Sequence, residues 1–262
     1  MRVLVTNDDG ITSPGLLALT RAVVEAGFDV VVAAPAEQAS GASAAITATQ
    51  DDGRTPVRRV TLDGLPDVPA FGVEAQPARI VLAALRGWLD PTPDLVLSGI
   101  NHGANIGRAI LHSGTVGAVL TAGINNVRGL AVSLDVALHP NPDDERHWDA
   151  AAALVPDLVK LLLDAPAGTV LSLNVPDRPA ADHRELRHAT LAPFGAVQAR
   201  VDQADEGHWH LQEVESDEAA ADGTDQALLA AGHPTLTALG AVHEDGEFEL
   251  ADRIVAARAP SA

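Results

Sequence analysis

Over roughly the first 175 residues, short apolar runs bounded by polar turns alternate with longer stretches whose apolar positions recur at helical spacing. The first run, residues 2–6, has Val-Leu-Val at its centre and ends in Asn7-Asp8-Asp9-Gly10. That predicts a buried strand running into a polar turn. Ser13 and Pro14 then stand as N-cap and first residue of a helix. Leu16, Leu17, Leu19, Val23 and Val24 give it an apolar face, and Gly27 ends it. A second strand is expected over residues 28–34, before a small-residue loop over 35–43. Further strands are expected over residues 57–62, 95–100, 130–134 and 170–175. Helices are expected over residues 77–89, 114–125 and 147–163, with Pro156 placed to kink or divide the last.

Such alternation argues for an α/β fold: a Rossmann-like, mostly parallel sheet with helices on both faces. After about residue 180 the pattern weakens. Residues 202–225 are acidic, with an Ala-rich stretch near Ala219 and Trp209 set among charges. We therefore divide the chain into a core, residues 1–180, and a C-terminal extension of arms or hairpins, residues 181–262. No internal repeat is present.

Composition narrows the function. With 262 residues, 47% of them apolar, the chain is long enough for a well-buried core. No apolar run approaches the roughly 20 residues of a membrane span. The opening Met1-Arg-Val-Leu-Val-Thr-Asn-Asp turns polar too soon for a signal peptide, and the absence of cysteine agrees with a cytoplasmic protein. The formal net charge of -19, with Lys160 as the one lysine, argues against binding a nucleic-acid polymer. A small anion remains admissible where a metal ion and backbone N–H groups reverse the field locally.

In an open α/β sheet, ligands bind beyond the carboxyl ends of the strands. Three polar loops follow strands there. They carry Asn7, Asp8 and Asp9; Ser40, Gly41 and Ser43; and Asn101, Asn105, Ser113, Gly114 and Thr115. Adjacent carboxylates such as Asp8 and Asp9 need compensation, which a divalent cation gives directly. With a Ser hydroxyl and an Asn carbonyl they make an all-oxygen set suited to Mg²⁺, Mn²⁺ or Ca²⁺. The competing reading is a plain turn with helix-capping carboxylates. Ser113-Gly-Thr-Val-Gly117 reads as a helix entry whose free N–H groups suit an anion, or as an ordinary N-cap. Asn101 and Asn105 are ligands or turn formers. His102 and His112 are candidate general acids to which the sequence assigns no role. The chain has no Gly-x-x-x-x-Gly-Lys-Ser/Thr loop, no Gly-x-Gly-x-x-Gly after the first strand and no Gly-x-Ser-x-Gly elbow.

Several motifs, in order, resemble one family. Val3-Leu-Val-Thr-Asn-Asp-Asp-Gly-Ile-Thr-Ser-Pro-Gly-Leu16 looks like the opening of SurE proteins. Ala34-Pro35 with Ser40-Gly-Ala-Ser43, Pro93 through Gly107, Ser113 through Ala118 and Leu130 through Leu134 continue the likeness. Asn174-Val-Pro176 and Gly223-Thr-Asp225 resemble later landmarks. The resemblance implies a Rossmann-like core with a C-terminal extension exchanged or packed between subunits of a homodimer or homotetramer. It implies metal-dependent hydrolysis of nucleoside 5'- and 3'-monophosphates. Carried over by position, the metal ligands are Asp8, Asp9, Ser40 and Asn101, and the phosphate contacts Asn105, Ser113, Gly114 and Thr115. One Mg or Mn ion per subunit is expected. Asp8 or Asp9 then orients the attacking water or takes its proton.

The chain departs from the family pattern at Arg79, Arg108, His112 and Thr121. The loop Ala36-Glu-Gln-Ala39 also lacks the usual basic residues. Besides a SurE-like protein that binds nucleotide without turnover, two rivals stand beside hydrolysis by activated water. One is a phosphatase passing through an aspartyl-phosphate on Asp8, which would want a second Asp where Gly10 stands. The other is a receiver-like signalling module without turnover, which would want a lysine after a later strand.

Overall fold

The strands of the computed structural model are β1 (Arg2–Thr6), β2 (Asp29–Pro35), β3 (Val57–Leu62), β4 (Leu65–Val73), β5 (Leu95–His102), β6 (Arg128–Asp135) and β7 (Val170–Pro176). After them come β8 (Arg187–His188), β9 (Val197–Asp205), β10 (His208–Glu215) and β11 (Thr235–Leu239). The helices are α1 (Pro14–Glu25), α2 (Pro77–Ala83), α3 (Gly114–Ile124), α4 (Trp148–Ala152), α5 (Val155–Asp164) and α6 (Asp225–Ala230). The structure describes residues 1–137, 141, 144–194, 197–205, 208–215, 220–240 and 242. Residues 216–219, where the Ala-rich stretch begins, and residues 243–262 of the expected extension lie outside them.

Among the described residues, nine strands form one sheet in the order β3-β4-β2-β1-β5-β6-β7-β11-β8. From β4 to β7 every neighbouring pair is parallel. β3 and β11 close the parallel block antiparallel. The fold is thus the mostly parallel α/β sheet expected. It does not stop at residue 180, because β11 pairs with β7 over Thr235 to Leu239. Among the described residues, β9 and β10 pair only with each other, as an antiparallel hairpin.

The apolar runs lack alternation because both faces of the sheet are covered. Val3, Val5, Val32, Leu97 and Val132 pack with Leu16 and Leu19 of α1 and with Val159 and Leu162 of α5. Leu4, Val31, Val96 and Ala131 face the other way, onto Ile80 of α2 and Val116 and Val119 of α3. Leu97 is fully buried at the centre of this sandwich. Leu97→Ala is therefore expected to lower the unfolding free energy by about 3 kcal/mol, read from the urea midpoint with an unchanged slope.

Two expected helices are shorter than their periodicity suggested. Pro156 divides the 147–163 segment into α4 and α5, sitting in the first turn of α5 where its missing N–H costs nothing. The segment after Pro77 is α-helical only to Ala83 and then widens, ending where Gly87 takes φ +95°.

The strand order places the site. β1 lies between β2 and β5, so the chain winds outward on both sides of it. The loops after β1, β2 and β5 therefore open over one crevice, at the point where the winding reverses.

Candidate active site

The turn after β1 is built by Asn7. Its Nδ2 donates to Gly10 O at 3.0 Å and to Ser13 Oγ at 2.6 Å, while its Oδ1 accepts from Gly10 N at 3.2 Å. Asn7 is fully buried and spent on this turn. Ser13 caps α1 by accepting from Leu16 N. The two carboxylates are thus left free of capping duty. Gly10 has φ +99°, and a Cβ there would lie 3.3 Å from the Glu37 backbone, so the β1 turn and the β2 loop fit closely. Ala39 N donates to Asp8 O at 2.7 Å and ties them together.

Asp8 is 5% exposed. Its Oδ1 accepts a hydrogen bond from Thr115 Oγ1. Burial pushes its carboxyl up to about 6, the Thr115 hydroxyl opposes that rise, and neighbouring Asp9 adds to it. The Thr115 backbone N–H also favours the ionised carboxylate, so Asp8 sits against the positive end of α3. Asp9 is raised by burial as well, opposed by the His102 backbone N–H, which donates to Oδ2 at 3.1 Å.

Asn101 lies at the end of β5. Its Nδ2 donates to Gly103 O at 2.7 Å, which turns Oδ1 toward Thr115 Oγ1, 3.1 Å away. Gly114 touches Asp8 so closely that a Cβ would lie 2.8 Å from Oδ2. Ser113 Oγ accepts from Val116 N at 3.1 Å and caps α3. Asn105 is held through its backbone: its N–H donates to Asn174 Oδ1 at 2.8 Å, and its carbonyl accepts from Asn174 Nδ2 at 2.9 Å. Its side-chain Nδ2 donates to Ser133 Oγ.

These groups surround a cavity of about 990 Å³. Asp8, Asp9, Ser40, Asn101, Asn105 and Ser113 line it. Gly114 and Thr115 are not among its lining residues: the Thr115 hydroxyl lies beneath Asp8, and Gly114 forms the close contact behind it. Ser40 is exposed at the rim, where its Oγ accepts from Gln38 Nε2 at 2.9 Å. Of the four departures, His112 lines the cavity. Arg79 lies on α2, Arg108 binds Ala192 O through its backbone, and Thr121 bonds back to Gly117 O within α3. Lining residues that the sequence did not single out include Thr12, Gln38 and Trp148. Asn174, behind Asn105, was visible only as part of the Asn-Val-Pro motif.

Asp8 and Asp9 are the carboxylates of this lining, which among the described residues holds no Lys or Arg. Their negative charge is met by backbone N–H groups and one hydroxyl. With Asn101 Oδ1 turned inward and Ser40 at the rim, the donors are all oxygen. That set fits a hard divalent cation. Neither rival phosphate chemistry fits as well. Gly10 stands where a second Asp would be needed, and Lys160 lies on α5, exposed and paired with Asp157.

Residues 3–196 match the family model described as Survival protein SurE. The chain belongs to the SurE family. It is 36% identical over 79% of its length to a Dehalococcoides mccartyi protein named 5'-nucleotidase SurE, covering 74% of that protein. It is 35% identical over 91% of its length to an Edwardsiella ictaluri protein named 5'/3'-nucleotidase SurE, covering 89% of it. The crystal structure of the SurE protein from Aquifex aeolicus superposes with a TM-score of 0.79 at 26% identity, covering 98% of this chain and 100% of that one. The two chains thus share the same mostly parallel α/β fold. Among the described residues, no helix is long and apolar enough to cross a membrane.

Proposed function

We propose that this chain is a phosphomonoesterase that releases phosphate from nucleoside 5'- and 3'-monophosphates with a divalent cation. The observation that carries this is the buried Asp8, clamped by Thr115 at the start of α3 and grouped with Asp9 and Asn101 at the floor of the cavity. The names of its SurE relatives supply the substrate class. Asp8, Asp9, Ser40 and Asn101 would hold one Mg or Mn ion per subunit. When bound, that ion supplies a positive charge for a phosphoryl oxygen and lowers the pKa of water.

The chain's own residues do the rest. Asp8 and Asp9 present carboxylate oxygens that orient the attacking water and take its proton. Ser113, Asn105 and the N–H groups at the start of α3 receive the phosphoryl oxygens, where the helix dipole favours developing charge. The bare backbone of Gly114 lets the Asp8 carboxylate pack against the start of α3. Thr115 serves this site through Asp8, by fixing the carboxylate's rotation.

The net charge of -19 supports a small substrate over a nucleic-acid polymer. The β9–β10 hairpin, outside the main sheet, supports a homodimer or homotetramer built through residues 181–262. The absence of cysteine supports a cytoplasmic location.

The deciding experiment is phosphate release from a panel of nucleoside 5'- and 3'-monophosphates. Release is expected to vanish with EDTA and to return with Mg²⁺ or Mn²⁺. Folded protein that releases nothing with either ion would sink the proposal.

A further inference from the structure

We propose that Trp148 is the platform on which the substrate's nucleobase stacks. This rests on the nucleotidase reading above and goes further, by assigning the base end of the cavity.

The chain is poor in aromatic residues: 3 Trp, 4 Phe and no Tyr. Trp88 is engaged edge-on with Phe71 on the α2 side of the sheet. Trp148 stands instead at the first turn of α4 and lines the same cavity as Asp8 and Asp9. It is half-buried, so one part of the indole packs on the core while another part faces the cavity. Gly15 makes the room for it: a Cβ there would lie 3.0 Å from the Trp148 ring and 2.0 Å from Ile100 O.

A single residue links the acidic floor to this ring. His102 donates its backbone N–H to Asp9, while its imidazole lies 6.1 Å from the Trp148 ring, tilted by 45°. A nucleotide with its phosphate at Asp8 and Asp9 would carry its base toward this pair of rings.

The platform is held in place before substrate arrives. Asp177, after β7, accepts from the His147 backbone N–H at 2.9 Å and contacts His147 Nδ1 at 3.0 Å. Arg146 approaches its other oxygen at 3.8 Å. Both residues immediately before Trp148 are therefore anchored to one carboxylate, which fixes the start of α4. A rigid, ordered ring loses little freedom on binding.

Stacking on an indole needs only a flat π-face, which every base has. The larger purine face gains more contact than a pyrimidine. The expected profile is therefore tolerance of all bases with a bias to purines.

The test compares wild type, Trp148→Ala and Trp148→Phe on AMP and on ribose 5-phosphate, which has the sugar and phosphate but no base. For Trp148→Ala, KM for AMP is expected to rise roughly tenfold with little change in kcat, while KM for ribose 5-phosphate stays put. Trp148→Phe should restore KM for AMP. Equal rises on both substrates would make the residue merely structural and overturn the proposal, as would an unchanged KM for AMP. A parallel titration of tryptophan fluorescence with AMP in EDTA needs no turnover. Quenching present in wild type and lost in Trp148→Phe supports stacking even if the nucleotidase reading fails. Identical quenching in the two proteins overturns stacking even if that reading stands.

Discussion

Asp8→Asn is expected to cut phosphate release by at least roughly 10³-fold, a loss of about 4 kcal/mol of transition-state stabilisation, without unfolding the protein. The substitution keeps the shape of the side chain and removes its charge. Asp8 is buried, accepts from Thr115, and faces a cavity whose described lining holds no Lys or Arg. An amide there offers one neutral oxygen to a cation and no base to a water. The stability side has the opposite sign. The folded carboxyl is raised from 3.8 to about 6, so its ionised form is disfavoured in the metal-free fold. That cost is absent below the unfolded value and complete above about pH 6. In EDTA at roughly neutral pH, Asp8→Asn should therefore melt no lower than wild type. The ceiling on any gain is about 3 kcal/mol, because a tenfold change in proton affinity is worth about 1.4 kcal/mol, and the amide loses part of that at Thr115. Phosphate release and a melting curve on the same preparation check both halves. A variant that melts early and is inactive says nothing about chemistry; one that is folded and fully active removes Asp8 from the mechanism.

The sequence made parts of this legible for a definite reason. β1, β2, β5, β6 and β7 are buried on both faces, so their apolar residues run together and stand out from the loops. β4 did not stand out. Leu65-Pro-Asp-Val-Pro-Ala-Phe-Gly-Val carries two prolines, and its first half, beside the β3 edge, is not buried, so no apolar run marks it. β11 is five residues of modest hydropathy, and only its antiparallel pairing with β7 gives them a place in the main sheet. That pairing depends on tertiary contacts, and no local periodicity announces it.

The site was legible to the same degree. Polar clusters at the ends of apolar strands marked Asp8, Asp9, Asn101 and Asn105 as candidates, and the fold brings them to one cavity. The roles within Ser113-Gly-Thr115 depended on helix phase. As N-cap, Ser113 faces the cavity, while Thr115 points back beneath Asp8. A string of letters cannot show that, because the partner carboxylate lies beyond another strand. Trp148 was opaque for a similar reason. Its neighbours in sequence, Arg146 and His147, show no pattern until Asp177 arrives from the end of β7 to hold them.

Thr115→Val separates two duties that Thr115 could serve. Valine matches the shape of threonine and deletes the hydroxyl. In the wild type that hydroxyl is fully buried, bonded to Asp8 Oδ1 and 3.1 Å from Asn101 Oδ1. A buried hydrogen bond to a charged group contributes about 1.5–3 kcal/mol. If Thr115 acts through Asp8, its loss frees the carboxylate to rotate and leaves Asn101 Oδ1 without that neighbour. We expect turnover to fall roughly 10- to 100-fold, and the Mg²⁺ or Mn²⁺ concentration giving half-maximal activity to rise. Thr115→Ser keeps the hydroxyl and should recover most of both. A direct phosphate contact predicts something different: a raised KM for every phosphate ester, with the metal requirement unchanged. Titrating the metal at saturating nucleotide, then the nucleotide at saturating metal, distinguishes them. An unaltered metal requirement in Thr115→Val would return Thr115 to the phosphate and leave Asp8 to be oriented by the backbone N–H groups of α3.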